Sequence, residues 1–142
     1  PPSGGPMIVA GGGSGELRRG MVQIASGLGW AGDDIIIDTH FGARGRFPRL
    51  ASVVADHPFA LAVGIDENTC LLVDGERRAL VAGAGEVYFV DASEAIVNTT
   101  REVSIGQPVS VGPLSVHILC DGQAFDLGER RPIVAGVAEN PV

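Results

Sequence analysis

The sequence predicts an α/β domain, with a mostly parallel sheet flanked by helices in its first half and antiparallel strands in its second. Three observations carry that expectation. Two continuous apolar runs, Ile35-Ile36-Ile37 and Phe59-Ala60-Leu61-Ala62-Val63-Gly64-Ile65, lack the in–out alternation of a half-solvated strand, and so read as strands buried on both faces. Between them Leu50, Val53 and Val54 recur at helical spacing, so strand, helix and strand follow within about 30 residues, the length of a βαβ unit. After residue 70 the pattern turns to short β-rich runs broken by Asp-Gly and Gly-Pro, the punctuation of antiparallel hairpins.

The 142 residues amount to one domain, divided by pattern into a Gly-rich lead-in (1–30), the βαβ unit (31–70), an antiparallel region (71–127) and a tail (128–142). The lead-in holds one apolar tetrad, Met7-Ile8-Val9-Ala10, and then Gly11-Gly12-Gly13-Ser14-Gly15, which reads as a flexible loop. These glycines match neither G-x-G-x-x-G, because position 16 is Glu, nor the phosphate-binding P-loop, whose Lys the chain lacks. Residues 21–24 form a short strand closed by Gly27-Leu28-Gly29. The strand over 33–38 is bounded by acids. Pro48 suits the first helical turn, where no backbone N–H is needed, and His57-Pro58 ends the helix with an imidazole near the negative end of its dipole.

Farther on, 69–73 and 78–81 form a hairpin in which Asp74-Gly75 supplies a positive-φ turn. Residues 86–90 form another strand, and 109–111 and 114–119 pair around Gly112-Pro113. His117 reads as a structural residue within its strand, and the tail, with Pro132, Gly136 and Pro141, frays. Cys70 and Cys120 sit inside apolar runs, as small buried hydrophobes rather than a disulfide.

Charge excludes several function classes. Ten basic side chains, all Arg, face 17 acidic ones for a net charge of −7. Phosphate backbones and anionic membranes both demand clustered positive charge, so neither nucleic acid nor a membrane surface is an expected partner. No apolar run approaches the roughly 20 residues that span a bilayer. No signal-peptide pattern opens the chain, so a cytoplasmic location is expected. No His/Cys/Asp/Glu cluster has metal-ligand spacing, so neither a metal nor another cofactor is expected. The chain opens on Pro1 rather than Met, which reads as a processed product, a cloned segment or one piece of something longer.

In open α/β sheets functional groups gather at the carboxyl ends of strands. Two such ends are rich in titratable groups: Asp38-Thr39-His40, with Arg44, Arg46 and Arg49 just downstream, and Asp66-Glu67-Asn68-Thr69 after Gly64-Ile65. If the two strands are neighbours, His40 and Glu67 come within hydrogen-bond reach. A carboxylate on one imidazole nitrogen fixes the tautomer and leaves the other nitrogen as a base, which is two-thirds of a hydrolytic triad with the nucleophile unassigned. The plainer reading makes His40 a satisfied polar residue and the three arginines a solvated face paired with nearby acids. Spacing alone leaves both open.

The run Ile37-Asp38-Thr39-His40-Phe41-Gly42-Ala43-Arg44-Gly45-Arg46-Phe47-Pro48-Arg49-Leu50 resembles the D-Q-H-F-x-x-R-x-R-x-x-R-L signature of cyanophycinases. Gly64-Ile65-Asp66-Glu67-Asn68-Thr69 is similar to their G-I-D-E-x-T motif, and Gly83-Ala84-Gly85-Glu86-Val87 to their later G-x-G-x-V strand. Pro6-Met7-Ile8-Val9, Gly27-Leu28-Gly29, Val116-His117-Ile118-Leu119 and Phe125-Asp126-Leu127 resemble weaker landmarks, so the likeness runs over nearly the whole chain.

The resemblance implies a class-I-amidotransferase-like (flavodoxin-like) fold, of which this chain is the C-terminal part. It implies a serine peptidase acting on cyanophycin, a poly-aspartate bearing arginine on its side chains, or on peptides rich in Asp and Arg. By position His40 is then the general base and Glu67 orients it, with Glu16 a second candidate for that acid. Asp38, Thr39, Arg44, Arg46 and Arg49 line the substrate cleft, where guanidinium forks suit carboxylates. Thr39 stands where the family carries Gln, which opens an alternative: an isoaspartyl or aspartyl peptidase, or an acyl transferase of a biosynthetic pathway. The family's nucleophile motif, G-T-S-A-G-A, does not occur here. The expectation is therefore an N-terminal partner chain that supplies the Ser, with the complete fold a homodimer. Without that partner the flank of the Ile35–Ile37 strand would lie open, an aggregation hazard. The missing Ser also leaves a third reading, a non-catalytic scaffold or binding subunit.

Overall fold

Strands that are apolar on both sides need cover on both faces, and a computed structural model of the chain shows how the cover is arranged. It describes residues 4–11, 17–27, 29, 31–39 and 47–134. In chain order the elements are β1 (Gly4–Gly11), β2 (Val22–Gly27), β3 (Ile35–Thr39), α1 (Phe47–Asp56), β4 (Leu61–Ile65), β5 (Thr69–Val73), β6 (Arg78–Gly83), β7 (Glu86–Asp91), β8 (Val97–Asn98), β9 (Val111–Gly112), β10 (Ser115–Cys120), β11 (Ala124–Asp126) and β12 (Arg131–Ile133). A six-stranded sheet, ordered β10-β7-β4-β3-β1-β2, lies between α1 and a four-stranded sheet ordered β12-β11-β6-β5.

The expected βαβ unit is present. β3 and β4 are parallel neighbours, and α1 crosses between them with Leu50, Val53 and Val54 packed on Ile36, Ala62 and Val90. Pro48 occupies its first turn, and the His57 N–H closes its end on the Val53 carbonyl at 2.8 Å. The opposite face of the same strands, with Ile35, Leu61, Val63, Val87 and Phe89, packs on Ala79, Val81, Phe125 and Leu127 of the second sheet and its flank. Phe89 and Phe125 stack there at 4.0 Å. His117 lies against Phe125 with ring centroids 5.2 Å apart, within 3.3 Å of the Ser115 hydroxyl, which fits its structural reading. Asp34, just before β3, accepts hydrogen bonds from Arg77 at 2.7 Å and Arg130 at 3.4 Å, tying the two sheets together.

The central sheet is mixed rather than mostly parallel. β1–β3 and β3–β4 are parallel pairs, whereas β1–β2, β4–β7 and β7–β10 are antiparallel. Connection length explains the difference: parallel neighbours need a crossover of a dozen or more residues, and among the described residues α1 is the single helix available to make one. β6 reaches β7 through Ala84-Gly85 alone.

Several local expectations are corrected. The tetrad of residues 7–10 belongs to an eight-residue strand, and β1 meets β3 at Met7–Ile37, so that flank of β3 is not left open. The β5–β6 turn draws its positive φ from Arg77, at 61°, rather than from Gly75. The Asp74 carboxylate holds that turn by accepting from the Glu76 N–H at 2.8 Å and the Arg78 N–H at 3.0 Å. β9 and β10 do not pair with each other: β9 joins β8, and β10 joins β7, where His117 and Leu119 can face the core. The start of the tail does not fray, because Arg130 takes a φ of 57° and returns the chain so that β12 pairs with β11. Both cysteines are free thiols on exposed strand positions. Alternation decides this, since Leu71 and Leu119 take the inward places beside them. The glycines at 12–15 lie outside the described residues.

Candidate active site at two parallel strand ends

β3 and β4 run in register, Asp38 beside Gly64 and Thr39 beside Ile65, so the chain leaves both strands at one edge of the sheet. Asp38 falls on the helix-facing side with Ile36, two residues before it. Arg49, in the first turn of α1, donates from Nη2 to its Oδ1 at 3.0 Å. The two residues are only 2% and 5% exposed, so this is a buried ion pair that pins the helix start to the strand end. Thr39 is exposed at the last position of β3. His40, Arg44, Arg46 and Glu16 lie outside the described residues.

At the other strand end the turn carrying Glu67 is held from several sides. The Asp66 carboxylate accepts the Glu86 N–H at 2.9 Å, and the Asp66 N–H donates to the Glu86 carbonyl at 3.1 Å. Asn68 takes a positive φ of 55°, and its carbonyl accepts the Ala84 N–H at 2.9 Å. The Thr69 hydroxyl donates to the Glu67 carbonyl at 3.0 Å and accepts from the Gly85 N–H at 2.8 Å. Side chains at the two facing glycines would break this contact. A Cβ on Gly83 would meet the Asn68 carbonyl oxygen at 2.3 Å, and one on Gly85 would meet the Asp66 Cβ at 2.7 Å. Glu67 is exposed at the turn's tip.

Sequence reasoning missed one residue of this edge. Tyr88 of β7 stands opposite Gly64, which stands beside Asp38, so the three form a row across the sheet. Its half-buried ring packs toward the helix-facing core and lies 6.5 Å from that of Phe47. Burial first, then the charges of Glu86 and Asp66, raise its phenol above the ordinary value, so it stays a hydrogen-bond donor through the neutral range. Period-two alternation in 86–90 puts Tyr88 on the side of Val90, but only the long-range β4–β7 register brings it level with the motif. Among the described residues no group of three His, Cys, Asp or Glu side chains could hold a metal ion. No helix of the described residues is long and apolar enough to cross a membrane.

No protein-family model matches the chain. Curated proteins do. The chain is 40% identical over 132 residues to a cyanophycinase of Trichormus variabilis, and equally to one of Nostoc sp., covering 92% of this chain and 44% of each relative. A cyanophycinase of Geminocystis herdmanii is 35% identical over 136 residues, 95% of this chain and 49% of that protein. The chain thus spans less than half the length of these relatives.

Proposed function

This chain is cyanophycinase-like in sequence, and from that premise we propose that it is the base-bearing C-terminal part of a serine peptidase that cleaves aspartyl or β-aspartyl-arginine amide bonds. The nucleophilic Ser belongs to the portion of the relatives that this chain does not span, supplied by an N-terminal partner in a class-I-amidotransferase-like whole. His40 takes the Ser proton as Oγ bonds to the amide carbonyl carbon, then passes it to the leaving amine as the C–N bond breaks. Water enters by the same route, giving up a proton to His40 and releasing the acid and the Ser. Glu67 orients the imidazole. Arg44 and Arg46 bind substrate carboxylates, and the Asp38–Arg49 pair ties the end of β3 to the start of α1, on either side of them in the chain.

The observation that carries this reading is the in-register parallel pairing of β3 and β4, which brings the starts of both signature motifs to one edge. The test is release of β-aspartyl-arginine from cyanophycin by the assembled protein and its His40→Ala variant. Loss of turnover by several orders of magnitude is expected, and undiminished turnover would remove His40 from the mechanism.

Thr39, exposed at the strand end, favours a second reading, the same machinery with another specificity. Faster cleavage of short isoaspartyl or aspartyl peptides than of the polymer would support it, and robust polymer degradation would exclude it.

A further inference from the structure

The Thr69 side chain does more than end a turn. Its one hydroxyl spans two segments, donating to the Glu67 carbonyl at 3.0 Å and accepting the Gly85 N–H at 2.8 Å. The backbone around it is held from several sides. Asn68 is held at a φ of 55°, its carbonyl accepts the Ala84 N–H, and the Asp66 carboxylate and N–H both bond to Glu86. Behind it, the Gly83 N–H donates to the Asp121 carboxylate at 3.0 Å, which anchors the Gly83–Gly85 side of the contact to the end of β10. Gly85 leaves no room for adjustment, since a Cβ there would lie 2.8 Å from the Thr69 hydroxyl.

We infer that Thr69 is a positioning residue: through Gly85 it fixes the backbone at Glu67, and so sets how that carboxylate meets the catalytic base. The inference rests on the proposed role of Glu67 and goes beyond it by naming what holds that acid in place. A carboxylate displaced by about 1 Å from a productive geometry costs on the order of 10- to 100-fold in rate. Val, isosteric with Thr, removes both hydrogen bonds, whereas Ser keeps them. The pH profile gives a second signature. A carboxylate beside an imidazole raises its pKa, so loosening Glu67 moves the acidic limb of kcat/KM to lower pH.

The experiment compares Thr69→Val, Thr69→Ser, Gly85→Ala, Glu67→Gln and the Glu67→Gln/Thr69→Val double variant in the assembled peptidase. Amide hydrogen exchange at residue 85 is read in parallel. Expected are a loss of about tenfold in kcat with a lowered acidic limb for Thr69→Val and Gly85→Ala, near wild-type values for Thr69→Ser, and no added loss from Thr69→Val once Glu67 is Gln. Exchange at Gly85 should accelerate in Thr69→Val. Unchanged exchange would overturn the clamp itself. Faster exchange with unaltered kcat and pH profile, or a full further loss in the double variant, would overturn the positioning role while leaving Glu67 in place. If Glu67→Gln is as active as wild type, the reading of Glu67 falls and takes the inference with it.

Discussion

Asp38 and Arg49 are charges held almost wholly out of water, and such a pair is tolerated because each neutralises the other at 3.0 Å. Removing Arg49 takes from the buried Asp38 carboxylate the guanidinium 3.0 Å away. Arg49→Met is therefore expected to lower stability by about 3–5 kcal/mol, measured by chemical denaturation. A change under 1 kcal/mol would mean that water or another group compensates Asp38 once the guanidinium is gone. Tyr88 makes a pH prediction. Its folded pKa is raised, so its contribution to stability is intact below the ordinary value of 10.0 and is lost as pH rises through the higher folded value. It is the chain's one tyrosine, so phenolate absorbance reports it directly. Titration above that of the unfolded chain is expected, and Tyr88→Phe should reduce the alkaline loss of stability by the tyrosine's share.

At the scale of elements, α1 is the strut behind the strand end that carries the motif. Leu50 is fully buried against β3, β4 and β7, so Leu50→Ala is expected to cost about 2–5 kcal/mol, checked by thermal or denaturant unfolding. Ser52, half-buried on the same helix, should cost less than Leu50 when replaced by Ala, about 1 kcal/mol or under. The elements legible in the sequence were those with a local signal. Ile35-Ile36-Ile37 and the run before Gly64 declared two-sided burial, and Leu50, Val53 and Val54 declared a helix face. What escaped depended on distant partners. β1 was hidden by its glycines and forms against β2. β9 and β10 looked like a hairpin because Gly112-Pro113 separates them, yet each finds its partner elsewhere. The cysteines read as buried because their runs are apolar, whereas alternation turns them outward.

The whole molecule divides what can be read in a similar way. The two motif-bearing strand ends were visible as residue patterns, and their meeting at one edge follows from the βαβ rule. The row Asp38–Gly64–Tyr88 and the clamp of Gly83 and Gly85 on 66–69 were not visible, because both arise from β7 pairing antiparallel to β4 across the intervening β5–β6 hairpin. The surface carries exposed apolar side chains at Phe59, Ile96 and Ile105, which are 88%, 88% and 76% exposed, and on the outer sheet at Leu72 and Leu80. The relatives run to about twice this length, and the proposed peptidase needs a Ser from that remainder.

The decisive measurement is intact mass spectrometry of natively purified protein after reaction with a serine-directed fluorophosphonate. A label on a Ser outside these residues, in material that contains this chain and loses the label when His40 is replaced by Ala, is the expected result. Native material holding this polypeptide alone and taking up no label would contradict the proposed peptidase.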